Sequence, residues 1–183
     1  YNKFKERKFD KVINVWGADH HGDVQGLMAG VEAIGCKGQL EIILQQFITV
    51  VESGEKIKMS KRLGTYVEID ELLDRVGADV VRFFFLMYSN DKQMDFDLDL
   101  AREKSDKNPV YYVQYAYARI NSILRKSKGH NLDAKLELLN HSAEIDLIKE
   151  LIKLPEIIKD TVRDYQIHRL PNYAIKLASL FHK

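Results

Sequence analysis

Two short stretches of the chain hold side chains suited to chemistry on a nucleotide. The first is Gly17-Ala18-Asp19-His20-His21-Gly22. Small residues at Gly17 and Ala18 let a ligand come close to the backbone. Asp19 can accept two hydroxyl hydrogen bonds from a ribose, and two neutral histidines can donate, accept or stack. The same residue types also suit an ordinary exposed turn. A metal site fits less well, because adjacent histidines rarely reach one ion and no Cys or further His stands at ligand spacing. The second stretch is Lys58-Met59-Ser60-Lys61-Arg62-Leu63-Gly64. Three cations and a hydroxyl can clamp a polyphosphate and stabilise the negative oxygens that develop as pyrophosphate leaves. A Lys/Arg cluster is also what a solvated loop looks like, and the Gly-x4-Gly-Lys-Ser/Thr spacing of a P-loop is absent.

The elements that must position these residues follow from hydrophobic spacing. Val12 to Trp16 reads as a buried strand ending at Gly17. A helix follows, with Val24, Leu27, Met28, Val31 and Ile34 on one face and Gly35 as its stop. Strand, Gly-containing loop and helix make half of a βαβ unit and predict an α/β domain. Leu40 to Val51 is β-prone, and Ser53-Gly54-Glu55 reads as a turn into a short strand at 56–59. Helices are predicted over 69–76 and 79–88, the second capped by Asp79. After residue 100 the character changes. Asn108-Pro109 offers an N-cap followed by Pro at N1, opening a helix to about Lys126. Further helices are expected over 143–153, 155–165 and 168–182. The chain thus reads as an α/β part, 1–100, followed by an all-helical part, 101–183.

Composition narrows the function classes. With 183 residues, 45% hydrophobic and 30% charged, the chain falls among soluble globular proteins. It has no apolar run of ~18 residues to span a membrane and no signal-peptide pattern at its start. The single Cys36 rules out an internal disulfide and a Cys-rich zinc site, and suits a reducing, cytoplasmic compartment. The net charge of +1 says nothing about nucleic acid, but its distribution is uneven. Residues 102–128 carry Arg102, Lys104, Lys107, Arg119, Arg125, Lys126 and Lys128 against Glu103 and Asp106. That balance suits an anionic partner on one face, or an ordinary solvated helix.

Lys58-Met59-Ser60-Lys61-Arg62, some forty residues after Gly-Ala-Asp-His-His-Gly, resembles the signature loop of class I aminoacyl-tRNA synthetases. Four more stretches are similar to the arginyl members of that class. Asp79 to Met87 resembles the helix after the signature loop, and Asp95-Phe96-Asp97-Leu98-Asp99-Leu100 the junction between domains. Asn108 to Ile120 looks like the opening helix of the anticodon-binding domain, and His168-Arg169-Leu170 with Phe181-His182 resembles a later helix there. The resemblance covers essentially the whole chain.

The resemblance implies the second half of a Rossmann-like nucleotide-binding domain followed by a helical bundle. It implies an arginine–tRNA ligase that activates arginine with ATP and Mg2+ as substrate, holds no tightly bound cofactor, and esterifies the 3′ end of its tRNA. Gly17, Asp19, His20, His21 and Met59 would then line the ATP site, with Asp19 on the ribose, His20 near the amino acid or adenylate phosphate, and Met59 beside the adenine. Lys58, Lys61 and Ser60 would hold the phosphates. Tyr112 and Tyr115 would stack on unpaired tRNA bases, while Gln114 and Arg119 contact base edges or backbone. An aromatic stripe at this spacing is equally what a helix core uses, although Tyr111, Tyr112, Tyr115 and Tyr117 cannot all share one face. The resemblance also implies a monomer as full-length enzyme.

Two departures from the family pattern matter. Leu63 stands where a small residue is usual, and His-Ile-Gly-His is absent from these residues. The chain is therefore expected to be an incomplete enzyme. A non-catalytic tRNA-binding relative, a cysteine or methionine synthetase, and a generic nucleotide-binding domain are the competing readings.

Overall fold

The computed structural model describes residues 1–57, 68–127 and 135–183. It is a mixed helix and sheet structure, and the chain divides into two compact units. One is formed by 1–49 with 90–95, the other by 50–89 with 96–183.

In the first unit, β1 (Val12–Gly17) runs parallel to β2 (Leu40–Gln45), in register from Val12 opposite Leu40 to Gly17 opposite Gln45. Parallel neighbours need a crossover, and α1 (Val24–Ala33) supplies it. Helix α1 ends in a Schellman turn: Gly35 takes φ +76° and donates to Glu32, while Cys36 donates back to Val31. That turn delivers Cys36 into the core, where it packs as a small apolar group with Val12, Val31 and Leu40.

Two expectations are corrected in this unit. The stretch after β1 is a 3-10 helix, Ala18–Asp23, where a loop was expected. Strand β1 is buried only at Val12, with Ile13 and Val15 43% and 66% exposed. The strand has β2 on one side and α1 on one face, so its alternate residues stay open.

The second unit begins with a hairpin. Strand β3 (Ile48–Glu52), which enters from the first unit, turns through Ser53-Gly54 into β4 (Glu55–Lys56), antiparallel with Glu52 opposite Glu55. Both turn residues have positive φ, the type I′ geometry whose twist matches that of the strands. The sheet order is β4-β3-β5, with β5 at Met94–Asp97. Helices α2 (Ile69–Val76) and α3 (Ala78–Leu86) lie between them in sequence, as the apolar spacing predicts. Asp79 is not the cap of α3. Gly77 takes that position without a side-chain bond, and Asp79 sits in the first turn, where a carboxylate still favours the positive helix end.

Phe96 and Leu98 are fully buried, with the rings of Phe84 and Phe85 against Phe96 at 5.4 and 5.5 Å. Leu98 opens the short α4 (Leu98–Arg102), capped by Asp97, whose carboxylate accepts from Asp99 and Leu100. Four longer helices complete the unit: α5 (Pro109–Lys126), α6 (Ser142–Leu151), α7 (Leu154–Asp164) and α8 (Arg169–Phe181). Each lies within two residues of its predicted start.

Candidate nucleotide and nucleic-acid sites

The strand β1 delivers Gly17 to its carboxyl end, and the 3-10 helix then carries Asp19, His20 and His21 out to solvent, all three exposed. Gly17 is tied to this arrangement, because a Cβ there would run into the Asp19 carboxylate. His20 is oriented from both sides. Its Nδ1 lies 3.1 Å from Asp23 and its Nε2 3.9 Å from Asp19, and its ring stands 6.0 Å from that of Trp16. The group offers a carboxylate and an oriented imidazole beside open backbone. It can accept from hydroxyls and donate to an anion. Among the described residues no cluster of His, Cys, Asp or Glu could hold a metal ion.

Lys58, Met59, Ser60 and Lys61 lie outside the described residues. The chain leading to them is β3–β4 and Ile57, which donates its N–H to Val50.

Helix α5 carries the second group. Asn108 is buried and caps it twice over, accepting from Val110 and Tyr111 while its amide donates to the carbonyls of Ala101 and Glu103. With the helix start fixed, Tyr112, Tyr115 and Arg119 fall on one face at i, i+3 and i+7. They meet His182 from α8. The rings of Tyr115 and His182 stack at 5.3 Å with 27° between planes, and Tyr112 lies 4.9 Å from the same imidazole. Arg119 reaches His182 Nδ1 at 3.4 Å and sits 5.8 Å from the Phe181 ring. Since Arg119 can only donate, Nδ1 accepts and Nε2 carries the proton. That Nε2 is buried with no hydrogen-bond partner among the described residues.

These side chains, with Asp106 and Tyr111, line an open cavity of about 390 Å³. Its walls are flat rings edged by a guanidinium, which is the chemistry that takes an unpaired base. Gln114 is not among them. It lies on the other side of α5, in a groove with Val110, Val113 and the α3 residues Arg82 and Phe83. At 100° per residue it stands some 160° round the helix from Tyr112. Asp106 and Tyr111 are cavity residues that sequence reasoning did not single out. His182 entered only with the helix it ends, since nothing in the sequence says that α8 packs on α5.

The comparisons bear on both halves of the chain. A family model described as tRNA synthetases class I (M) matches residues 27–110, and one described as DALR anticodon binding domain matches 113–183. The arginine–tRNA ligase of Moorella thermoacetica is 48% identical over 99% of this chain and 33% of its own length. That of Dehalococcoides mccartyi is 48% identical over 100% of this chain and 34% of its own. A solved structure assigned as an arginyl-tRNA synthetase of Campylobacter jejuni superposes with a TM-score of 0.88 at 32% identity, over 99% of this chain and 40% of that one. The Thermus thermophilus arginyl-tRNA synthetase shares the fold, with a TM-score of 0.72 at 21% identity, over 96% of this chain and 33% of its own. The chain spans about a third of the length of the curated relatives it matches.

Proposed function

We propose that this chain, a segment of an arginyl-tRNA synthetase, works within a longer protein that joins arginine to its tRNA at the expense of ATP. In the first step the arginine carboxylate attacks the α-phosphorus of ATP, forming arginyl-adenylate and releasing pyrophosphate. In the second, a hydroxyl at the tRNA 3′ end attacks the arginyl carbonyl and releases AMP. No covalent enzyme intermediate is needed, so the protein contributes position and charge.

In this reading residues 1–100 form the second half of a Rossmann-like domain, and 101–183 the start of the helical anticodon-binding domain. Asp19 accepts from the adenosine ribose, with Gly17 leaving room for it. His20, held by Asp23, serves the adenylate phosphate region, and His21 shapes the same pocket. Met59 packs beside the adenine. Lys58, Ser60 and above all Lys61 hold the phosphates of the Mg2+-bound ATP. Tyr112, Tyr115 and Arg119 receive an unpaired base of the tRNA, and Gln114 touches the backbone from its own side of α5. The protein is a cytoplasmic monomer, and no helix among the described residues is long and apolar enough to cross a membrane.

The observation that carries this reading is collinearity. One chain, 48% identical to arginine–tRNA ligases over nearly all its residues, has Gly-Ala-Asp-His-His at the end of a parallel strand and Lys-Met-Ser-Lys some forty residues on. The test is arginine-dependent ATP–pyrophosphate exchange. It is expected from the complete protein and not from the 183 residues alone, which lack His-Ile-Gly-His. Robust exchange by the 183-residue chain would overturn the division of labour proposed here.

A further inference from the structure

Another open cavity of the second unit, about 420 Å³ in volume, lies between α6 and α8. Tyr173 of α8 ties the two helices together, its hydroxyl donating to the Leu151 carbonyl at 3.5 Å. Lysines dominate the lining. Lys149 is in the last turn of α6 and Lys153 just past it, while Lys176 is in the middle of α8 and Lys183 just past its end. Two acids line the same groove. Glu150 is buried, 8% exposed, and accepts from Lys153 at 2.8 Å, so that pair is neutral in itself. This leaves Lys149, Lys176 and Lys183 against Asp146 alone. All three lysines are exposed, and none forms an ion pair among the described residues.

A chain with 28 cations and 27 acids has acids enough to pair them, so three unpaired lysines around one groove suit an anion from outside. The carbonyl end of α6 accounts for Lys149, since a cation is favoured there. It does nothing for Lys176, which stands more than a turn from either end of α8. Lys176, Ser179 and Lys183 share one face of that helix, at i, i+3 and i+7, and the Ser179 hydroxyl can donate beside the two charges. The groove also opens next to the aromatic cavity. His182 lines that cavity and Lys183, the following residue, lines the groove. Rings that stack a base, beside a basic groove that follows the backbone, are the two parts by which proteins hold a single strand.

We propose that this groove holds backbone phosphates of the tRNA strand whose unpaired base occupies the aromatic cavity, with Lys149 and Lys176 as its main contacts from α6 and α8. The proposal rests on the reading of that cavity as a base site. A lysine is a point charge on a flexible stem, so these contacts fix affinity and register and read no base. They form with release of the counterions condensed on the RNA, and their contribution therefore fades as salt rises.

The experiment uses the complete protein and measures its affinity for arginine tRNA over a series of salt concentrations, with the KM for tRNA and the kcat of charging. The variants are Lys149→Gln, Lys176→Gln, the two combined, Lys176→Arg and Tyr115→Ala, with Lys159→Gln on α7 as a control outside the groove. Lys149→Gln and Lys176→Gln should each weaken tRNA binding about 3-fold, the size of an exposed ion pair, and the combined variant about 10-fold. Each lysine lost should also flatten the dependence of log affinity on log salt by about 1. The KM for tRNA should rise while kcat at saturating tRNA holds. Lys176→Arg and Lys159→Gln should both bind as wild type does. Unchanged affinity and salt slope in the combined variant overturn the proposal. So does a loss of affinity with an unchanged slope, or one matched by an equal loss in Lys159→Gln. Tyr115→Ala separates the failures, because stacking is not ionic and its loss should weaken binding with the slope intact. Normal binding there removes the base reading itself, whereas weakened binding beside unaffected lysine variants removes the groove alone.

Discussion

Tyr115 stacks one face of its ring on His182 and leaves about half of its surface, 51%, in solvent. A core aromatic would be covered on both faces, so this ring has a face left for a ligand. Lys61 is assigned to the opposite half of the reaction. The two residues should therefore fail differently. In the complete protein Lys61→Ala should cut ATP–pyrophosphate exchange by ~10²-fold or more, the scale of losing one preorganised donor. Tyr115→Ala should lower tRNA charging while leaving exchange intact, because stacking on a base is worth about 1–3 kcal/mol. Equal loss of both activities in Tyr115→Ala would show a packing role. A normal exchange rate in Lys61→Ala would take that lysine out of the site. At this scale the sequence tells residue types and local faces, and little beyond. Tyr112, Tyr115 and Arg119 share a face because their spacing is helical. Gln114 falls on another face for the same reason, which was legible from its position two residues after Tyr112. The meeting with His182, sixty-three residues beyond Arg119, is a tertiary contact that no local pattern carries.

The helices were readable where a backbone rule decides them. Asn108-Pro109 announces the start of α5, and the structure adds that the Asn108 amide also bonds Ala101 and Glu103, which joins α4 to α5. Asn108→Ala should thus destabilise the protein by about 2–4 kcal/mol, summing a lost cap and buried carbonyls left unpaired. Asn108→Ser, which keeps a neutral cap acceptor, should cost visibly less in a denaturant titration. Equal costs would mean that the cap contributes nothing and that the amide bonds carry the whole loss. The link from α7 to α8 was not legible. Tyr165 takes φ +58°, and Asp164 accepts from both terminal nitrogens of Arg169 at 2.5 and 2.7 Å. That fork holds the Asp164 carboxyl down at about 2, against an ordinary 3.8. A depressed carboxylate pKa gives stability that is fully present above the unfolded value and fades as pH falls toward the folded one. The gap in thermal midpoint between wild type and Asp164→Asn should accordingly be widest near pH 6 and narrow as the pH falls to 3. A gap that does not change with pH would dissociate the stability from the ion pair. Asp79 failed as a cap because Gly77, with φ +86°, already ends α2 and begins α3. Strand β1 failed as a buried strand because burial depends on neighbours on both faces, and sequence records only the strand's own residues.

Taken whole, the chain gives the β1–α1–β2 turn with Asp19 and His20 in one unit, and a hairpin and a base-sized cavity in the other. It spans about a third of the length of its curated relatives. The family model matching 27–110 is of the class I synthetases (M), while the curated relatives at 48% identity are arginine–tRNA ligases. Amino-acid specificity is therefore the point on which the account stands or falls. The direct measurement is charging of total tRNA by the purified complete protein, with ATP and each of arginine, methionine and cysteine supplied singly as labelled amino acid. Esterification with arginine alone, dependent on ATP, is the expected result. Charging with methionine or cysteine, or tRNA binding with no charging by any of the three, would contradict it.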